Sequence, residues 1–301
     1  MIKRIFLRQK YNLLLQEPLI WKTNMNYQVK NYTLGAIIFV VLLSAASTFG
    51  GIVGEIIYYL AFLLPLMWCV FCARKAQAER ERVKGVAEPP RHLFSLTKEG
   101  WITTILLSMP VVAIVLLLSY LTSLLLSLFG VEAPSVADAP ILVMFLEHAV
   151  VPSILEELLF RFAPLLLLAP YSRRGCIIIS AVYFALIHCN LFQIPYALIA
   201  GAIFIIVDLA FDSVLPSLFL HFINNVASVI MLKYCATGTP FVVYLVTITV
   251  LSLISIAILL FRRKRIVSNF ALAFEKGEAF TTISPVTLAI LTIGIALFNL
   301  F

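Results

Sequence analysis

Nine stretches of this chain are continuously apolar, at roughly 33–53, 55–73, 101–129, 140–170, 176–191, 194–212, 214–235, 240–261 and 285–301. A transmembrane helix needs about 20 predominantly apolar residues, and most of these stretches come close to that length or pass it. In hydrocarbon every backbone N–H and C=O must find a partner within the protein, which leaves helices or a closed barrel. Barrel strands alternate apolar and polar residues; these stretches do not. The sequence therefore predicts an all-α, multi-spanning transmembrane helical bundle of about nine helices. Composition agrees. Of 301 residues, 62% are hydrophobic and 12% are charged, about half the roughly 25% of a soluble domain. That is too few charges to wet a soluble fold, and too apolar a chain to stay disordered.

The charges that remain are placed as topological anchors. Net charge is +7, which in a soluble protein would raise the question of nucleic acid. Here, if the N-terminus is cytoplasmic, 20 of the 22 Lys and Arg residues fall in 1–32, 74–100, 171–175 and 262–284, as the positive-inside rule requires. The two exceptions are Arg161, inside the fourth stretch, and Lys233, at the outer end of the seventh. The sequence thus predicts a multi-pass protein of the cell membrane with its N-terminus in the cytoplasm and Phe301 outside. Its sections are a basic amphipathic lead-in over 1–32, N-terminal transmembrane helices over 33–139 with a cytoplasmic loop at 74–100, a polar helical core over 140–235, and C-terminal transmembrane helices over 236–301. Pro152 and Pro164 predict kinks in the fourth stretch. The five cysteines are odd in number and lie in or beside apolar stretches, so no disulfide framework or zinc-cysteine site follows.

Polar residues inside a bilayer are expensive, about +2.5 to +3.5 kcal/mol for Arg, Lys or Asp at a helix centre. Nearly all of them lie in stretches four to seven: Glu147, His148, Glu156, Glu157, Arg161, His188, Asp208, Asp212, His221, Asn224 and Asn225. Glu157 and Arg161 are four apart with the acid first, the better order for a helical ion pair. Glu156 lies about 100° round the helix from Glu157, so the pair neutralises one carboxylate and leaves the other aimed elsewhere. The candidate partners of Glu156 are His188 and His221. His221 and Asn225 are four apart and share one helix face. At about 1.5 Å per residue, Glu156 lies roughly 20 Å, His188 about 18 Å, and His221 and Asn225 about 10 and 16 Å from the inner ends of their helices. Three helices therefore bring an acid, two imidazoles and an amide to overlapping depths. Asp208 and Asp212 read as solvated interfacial residues, and Glu147 and His148 as lining or outer-interface residues.

In order along the chain these residues read Glu-Glu-x-x-x-Arg (156, 157, 161), Phe-x-x-x-His (184, 188) and His-x-x-x-Asn (221, 225). The pattern resembles the CAAX-protease and bacteriocin-processing (Abi) family of intramembrane endopeptidases, over about 140–235. The resemblance implies hydrolysis of a peptide bond within the membrane. By that resemblance Glu156, with His188, activates a water; His221 and Asn225 hold the developing oxyanion; Glu157 and Arg161 shape the site. A carboxylate in a low-dielectric pocket suits a general base, and an imidazole and an amide can donate to a tetrahedral intermediate.

Two histidines and a glutamate are also a zinc donor set. The chain has no His-Glu-x-x-His, however, and Asn225 is a poor zinc ligand; resemblance to the glutamate-type members of the family implies a site without metal or cofactor, with a zinc-dependent site as the alternative. The implied partners are the lipid bilayer and a membrane-embedded peptide or protein, of CAAX type or bacteriocin type, with no nucleic acid. Small size and short loops favour a bacterial peptide over a prenylated protein. Two other functions fit part of the sequence. A non-catalytic membrane scaffold or regulator on the same fold, serving bacteriocin immunity or a sensor or cell-wall partner, would not need the motifs intact. A proton-relaying transporter would be expected to show a second polar half or Gly/Pro-broken helix pairs, and neither is evident.

Overall fold

The computed structural model describes residues 18–131, 139–188 and 190–274, with side chains from Met25 onward. Among them there are helices and no strand. In chain order the helices are α1 (Pro18–Phe49), α2 (Gly51–Lys84), α3 (Lys98–Ser127), α4 (141–167), α5 (Arg173–Leu186), α6 (Ile194–Phe211), α7 (Leu215–Tyr234), α8 (Gly238–Phe261) and α9 (Arg263–Ala273). Among the described residues, six helices are long and apolar enough to cross a bilayer: α1 from Met25, α2, α3, α6, α7 and α8. The chain is a multi-pass membrane protein.

The fourth and fifth apolar stretches are also helical, but neither is a regular α-helix of full spanning length. α4 is interrupted by two π-turns, Phe145–Val150 and Leu158–Phe162, each followed within two residues by a proline, Pro152 or Pro164. Proline has no N–H for the carbonyl four residues back, so the kinks expected from these prolines take the form of locally widened turns. α5 has 14 residues, about 21 Å, too short for a hydrocarbon core of about 30 Å. The ninth stretch, 285–301, lies outside the described residues, as do residues 1–17 of the lead-in. α1 begins at Pro18 and continues across residue 32 without a break, burying Met25, Gln28, Asn31 and Tyr32.

α1 and α2 form an antiparallel hairpin turning on Gly50 and Gly51, both at positive φ (58° and 52°). Two successive residues in that region are costly for anything but glycine. Cys69 in α2 faces Gly35 in α1, where an added Cβ would sit 3.2 Å from its Sγ; Cys69 is a packing residue of the hairpin. Cys69, Cys72, Cys176 and Cys235 are free thiols. The hairpin leans on the second half of α4, α5 pairs with α6, and α3 runs against α6, α7 and α8. The largest apolar cluster joins Phe39 and Phe62 of the hairpin to Phe160, Leu165, Ile179, Tyr183, Phe184 and Ile205.

One end of the bundle gathers the charged side chains. Arg91, in the segment between α2 and α3, pairs with Asp212 at the end of α6 and donates to the Leu165 carbonyl of α4. Arg262 at the α8–α9 corner holds both oxygens of Glu99 at 2.7 Å. Arg173 donates to the Leu209 carbonyl at 2.8 Å. Glu88 takes bonds from Arg80 and Lys84 at 2.8–2.9 Å. Burial alone would raise the Glu88 carboxyl, but these two cations hold it down at about 2.

Candidate active site

The polar residues meet where α4, α5, α6 and α7 converge. The second π-turn of α4 begins directly after Glu157. Its freed carbonyls are taken up by other helices. Ser180 of α5 donates to the Phe160 carbonyl, the one Pro164 cannot serve. Tyr32 of α1 donates to the Leu159 carbonyl at 3.3 Å. Cross-helix donors thus hold the irregular turn, and the rotation of Glu156, Glu157 and Arg161 with it.

Glu157 and Arg161 are both fully buried, with Arg161 Nε 3.2 Å from Glu157 Oε2, a close ion pair rather than a well-aligned hydrogen bond. The guanidinium carbon lies 3.8 Å from the ring centre of Phe184 and 5.3 Å from that of Phe204. A cation over a π face is worth about 2 kcal/mol or more once desolvated, and here two rings serve one cation. Gly201 makes room for the stack: a Cβ there would meet Phe184 Cδ1 at 3.0 Å and Arg161 Nη2 at 3.5 Å.

The other Glu157 oxygen, Oε1, is 2.7 Å from Nδ1 of His221. With Glu157 ionised, Nδ1 carries the proton and donates. His221 Nε2 then faces Glu156, 3.9 Å from Oε2. Phe184 stands edge-on to the His221 ring at 5.6 Å and Phe204 lies beside it at 5.7 Å. His188 sits two residues beyond the end of α5. Its Nδ1 lies 2.7 Å from the Phe184 carbonyl; a carbonyl only accepts, so Nδ1 is the donor and Nε2 is left open. Both imidazoles are therefore fixed through Nδ1 and offer Nε2. His188 and His221 both stand edge-on to the Phe184 ring, at 4.9 and 5.6 Å. Glu156 Oε2 is buried and has no hydrogen-bond partner. Asn225 Nδ2 reaches Ser153 Oγ of α4 at 3.5 Å, and Asn224 Nδ2 reaches Asn225 Oδ1 at 3.4 Å. The seven motif residues are thus one neighbourhood: Glu157 ties Arg161 to His221, His221 faces Glu156, Phe184 touches Arg161 and both histidines, and Asn225 is joined to α4 through Ser153.

Several residues of this neighbourhood carry no sequence signal. Phe204, Gly201, Ser153 and Ser180 are ordinary occupants of apolar helices. Asp208 corrects an expectation. It is not solvated at the interface but fully buried, and its Oδ1 accepts from the Ser217 N–H of α7 at 2.9 Å. Val214, the residue before α7, provides no side-chain cap, so Asp208 supplies from α6 a cap that α7 lacks. His221 follows one turn later. Asp212 keeps its place at the interface, paired with Arg91. Glu147 and His148 lie exposed in the first π-turn, away from the buried cluster. Removing the cap leaves a buried donor unpaired, at about 1–3 kcal/mol. Asp208→Ala should accordingly lower the thermal midpoint in detergent, and Asp208→Asn, which keeps an acceptor, should recover most of it; equal losses would show that the acceptor is not what matters.

Among the described residues no group of three or more His, Cys, Asp or Glu side chains is gathered closely enough to hold a metal ion. Comparison with known proteins adds one positive finding. Residues 138–227 match the family model described as Rce1-like, type II CAAX prenyl endopeptidase. No curated relative and no solved structure matched the chain. The matched stretch contains every motif residue from Glu156 to Asn225 and leaves out α1–α3, α8 and α9. The similarity of this chain to the CAAX endopeptidases is thus confined to residues 138–227, the part that carries the polar cluster.

Proposed function

We propose that this protein hydrolyses a peptide bond of a membrane-associated peptide or protein, with a water activated by Glu156 and His188. The observation that carries this reading is the unequal engagement of the two adjacent carboxylates. Glu157 is occupied on both sides, by Arg161 and by His221. Each carboxylate keeps one buried oxygen without a hydrogen-bond partner, but that of Glu157 lies 3.2 Å from the Arg161 guanidinium, whereas that of Glu156 has only the His221 imidazole near it, at 3.9 Å. A base must have a lone pair to spare, and Glu156 is the carboxylate whose lone pair no fixed cation holds. His188 Nε2, fixed by the Phe184 bond, is the second acceptor for the same water.

The carbonyl carbon attacked by that water becomes tetrahedral, and its oxygen takes up the negative charge. Asn225 and His221 lie on one face of α7 and are the donors for it. The Asn225–Ser153 bond, at 3.5 Å, is at the outer limit of a hydrogen bond and is readily exchanged for a substrate oxygen. His221 presents an N–H at Nε2 only when both ring nitrogens carry protons, because Nδ1 already donates to Glu157. Glu157 and Arg161 position His221 and take no direct part. The reading is metal-free. Hydrolysis is completed when the proton taken from water is returned to the leaving amine. The substrate class is CAAX-type or bacteriocin-type. The test is mass spectrometry of peptides incubated with the reconstituted protein: one set carrying a C-terminal prenylated cysteine motif, one set membrane-bound bacteriocin-like precursors. Cleavage of at least one set at a defined bond supports the reading; intact peptides in both would count against it.

Orientation belongs to the same proposal. The positive-inside rule supports a cytoplasmic segment between α2 and α3. A cysteine at Val86, half-exposed in that segment, should react with an impermeant thiol reagent only after the cells are opened. A cysteine at Val131, beyond α3 at the opposite end, should react in intact cells. The reverse pattern would invert the topology.

A further inference from the structure

We propose that the corner between α8 and α9 is a binding site for an anionic phospholipid. An open cleft there is lined by Ala257, Leu260 and Phe261 from the last turn of α8 and by Arg263 and Lys264 from the first turn of α9. The two halves have opposite chemistry. α8 is the least covered of the six spanning helices, with 11% of its most apolar window buried; Val250, Leu253, Leu260 and Phe261 are all exposed, Phe261 to 91%. This wall faces acyl chains. The other half belongs to the run Arg262-Arg263-Lys264-Arg265. Arg262 is taken by Glu99. Arg263, Lys264 and Arg265 are exposed, and among the described residues no acid pairs with them.

An apolar wall continuous with Arg263 and Lys264, which no acid among the described residues pairs, fits a molecule that is itself an apolar chain ending in a phosphate. A free phosphate would use the cations and leave Leu260 and Phe261 uncovered. A zwitterionic lipid would cover the wall but bring its own cation to Arg263 and Lys264. The position of α9 is fixed rather than trailing: Phe270 meets Phe211 of α6 edge-on at 6.3 Å, so the cations stay at the mouth of the cleft. Juxtamembrane Lys and Arg each contribute about fivefold to partitioning onto an anionic surface.

The experiment is native mass spectrometry of the full chain in detergent, titrated with phosphatidylglycerol or with phosphatidylcholine. The wild type should retain one phosphatidylglycerol molecule at activation energies that strip phosphatidylcholine. Arg263→Gln combined with Lys264→Gln should weaken that retention by about 25-fold. Arg74→Gln combined with Lys75→Gln, which removes two exposed bases from α2 at the same end of the bundle, should leave it unchanged. An unaltered thermal midpoint shows that each variant is folded. Equal weakening by the two double variants would reduce the effect to general surface charge and overturn the site. Equal retention of the two lipids, or displacement by millimolar inorganic phosphate, would overturn it as well.

Discussion

Arg161→Ala should all but abolish accumulation of folded protein. The substitution strips a fully buried carboxylate of its cation and empties the space between Phe184 and Phe204. Leaving one member of a buried pair uncompensated typically costs about 3–5 kcal/mol, a large part of the roughly 5–15 kcal/mol by which a whole domain is stable. Adding Glu157→Gln removes the stranded charge, and the double variant should regain monodisperse protein in detergent. Its peptide cleavage should stay low, because His221 has then lost the carboxylate that fixes Nδ1. Fluorescence-detected size exclusion separates the cases. A double variant no better folded than Arg161→Ala would mean that the aromatic stack, not the charge, is what Arg161 provides.

The difference between what is local and what is tertiary explains how far the sequence could be read. Glu157 and Arg161 are one helical turn apart, so their pairing follows from spacing alone. The apolar stretches likewise announce helices in a membrane. The Glu157–His221 bond joins residues 64 apart, and no periodicity within one helix points to it. The Asp208 cap on α7 is equally non-local, and Asp208 itself reads as an interfacial acid because a second aspartate, four residues on, marks the end of that apolar stretch. The π-turn after Glu157 was visible only as Pro164; that the freed Phe160 carbonyl would be served by Ser180 was not. Two of the apolar stretches depart from a plain helical span, since α4 is widened by two π-turns and α5 is short. Both departures fall at the cluster, where backbone irregularity is tolerated in a membrane because protein surrounds it.

The proposed division of labour between the two glutamates leads to sharply different variants at neighbouring positions. Glu156→Gln keeps the shape of the side chain and removes its ability to take a proton. The variant should insert, fold and bind peptide like the wild type. His188→Ala should act through the same water, and Asn225→Ala should be milder, about 10²–10³ in rate for the loss of one oxyanion donor. The most direct measurement is the single-turnover cleavage rate of purified, reconstituted protein on a peptide cut by the wild type, compared with Glu156→Gln and repeated with and without a chelator. The account predicts a fall of several orders of magnitude for Glu156→Gln and no effect of the chelator. Cleavage by Glu156→Gln at the wild-type rate would contradict the assignment of the base. Loss of wild-type activity to the chelator, with recovery on adding zinc, would contradict the metal-free reaction and make Glu156, His188 and His221 ligands instead.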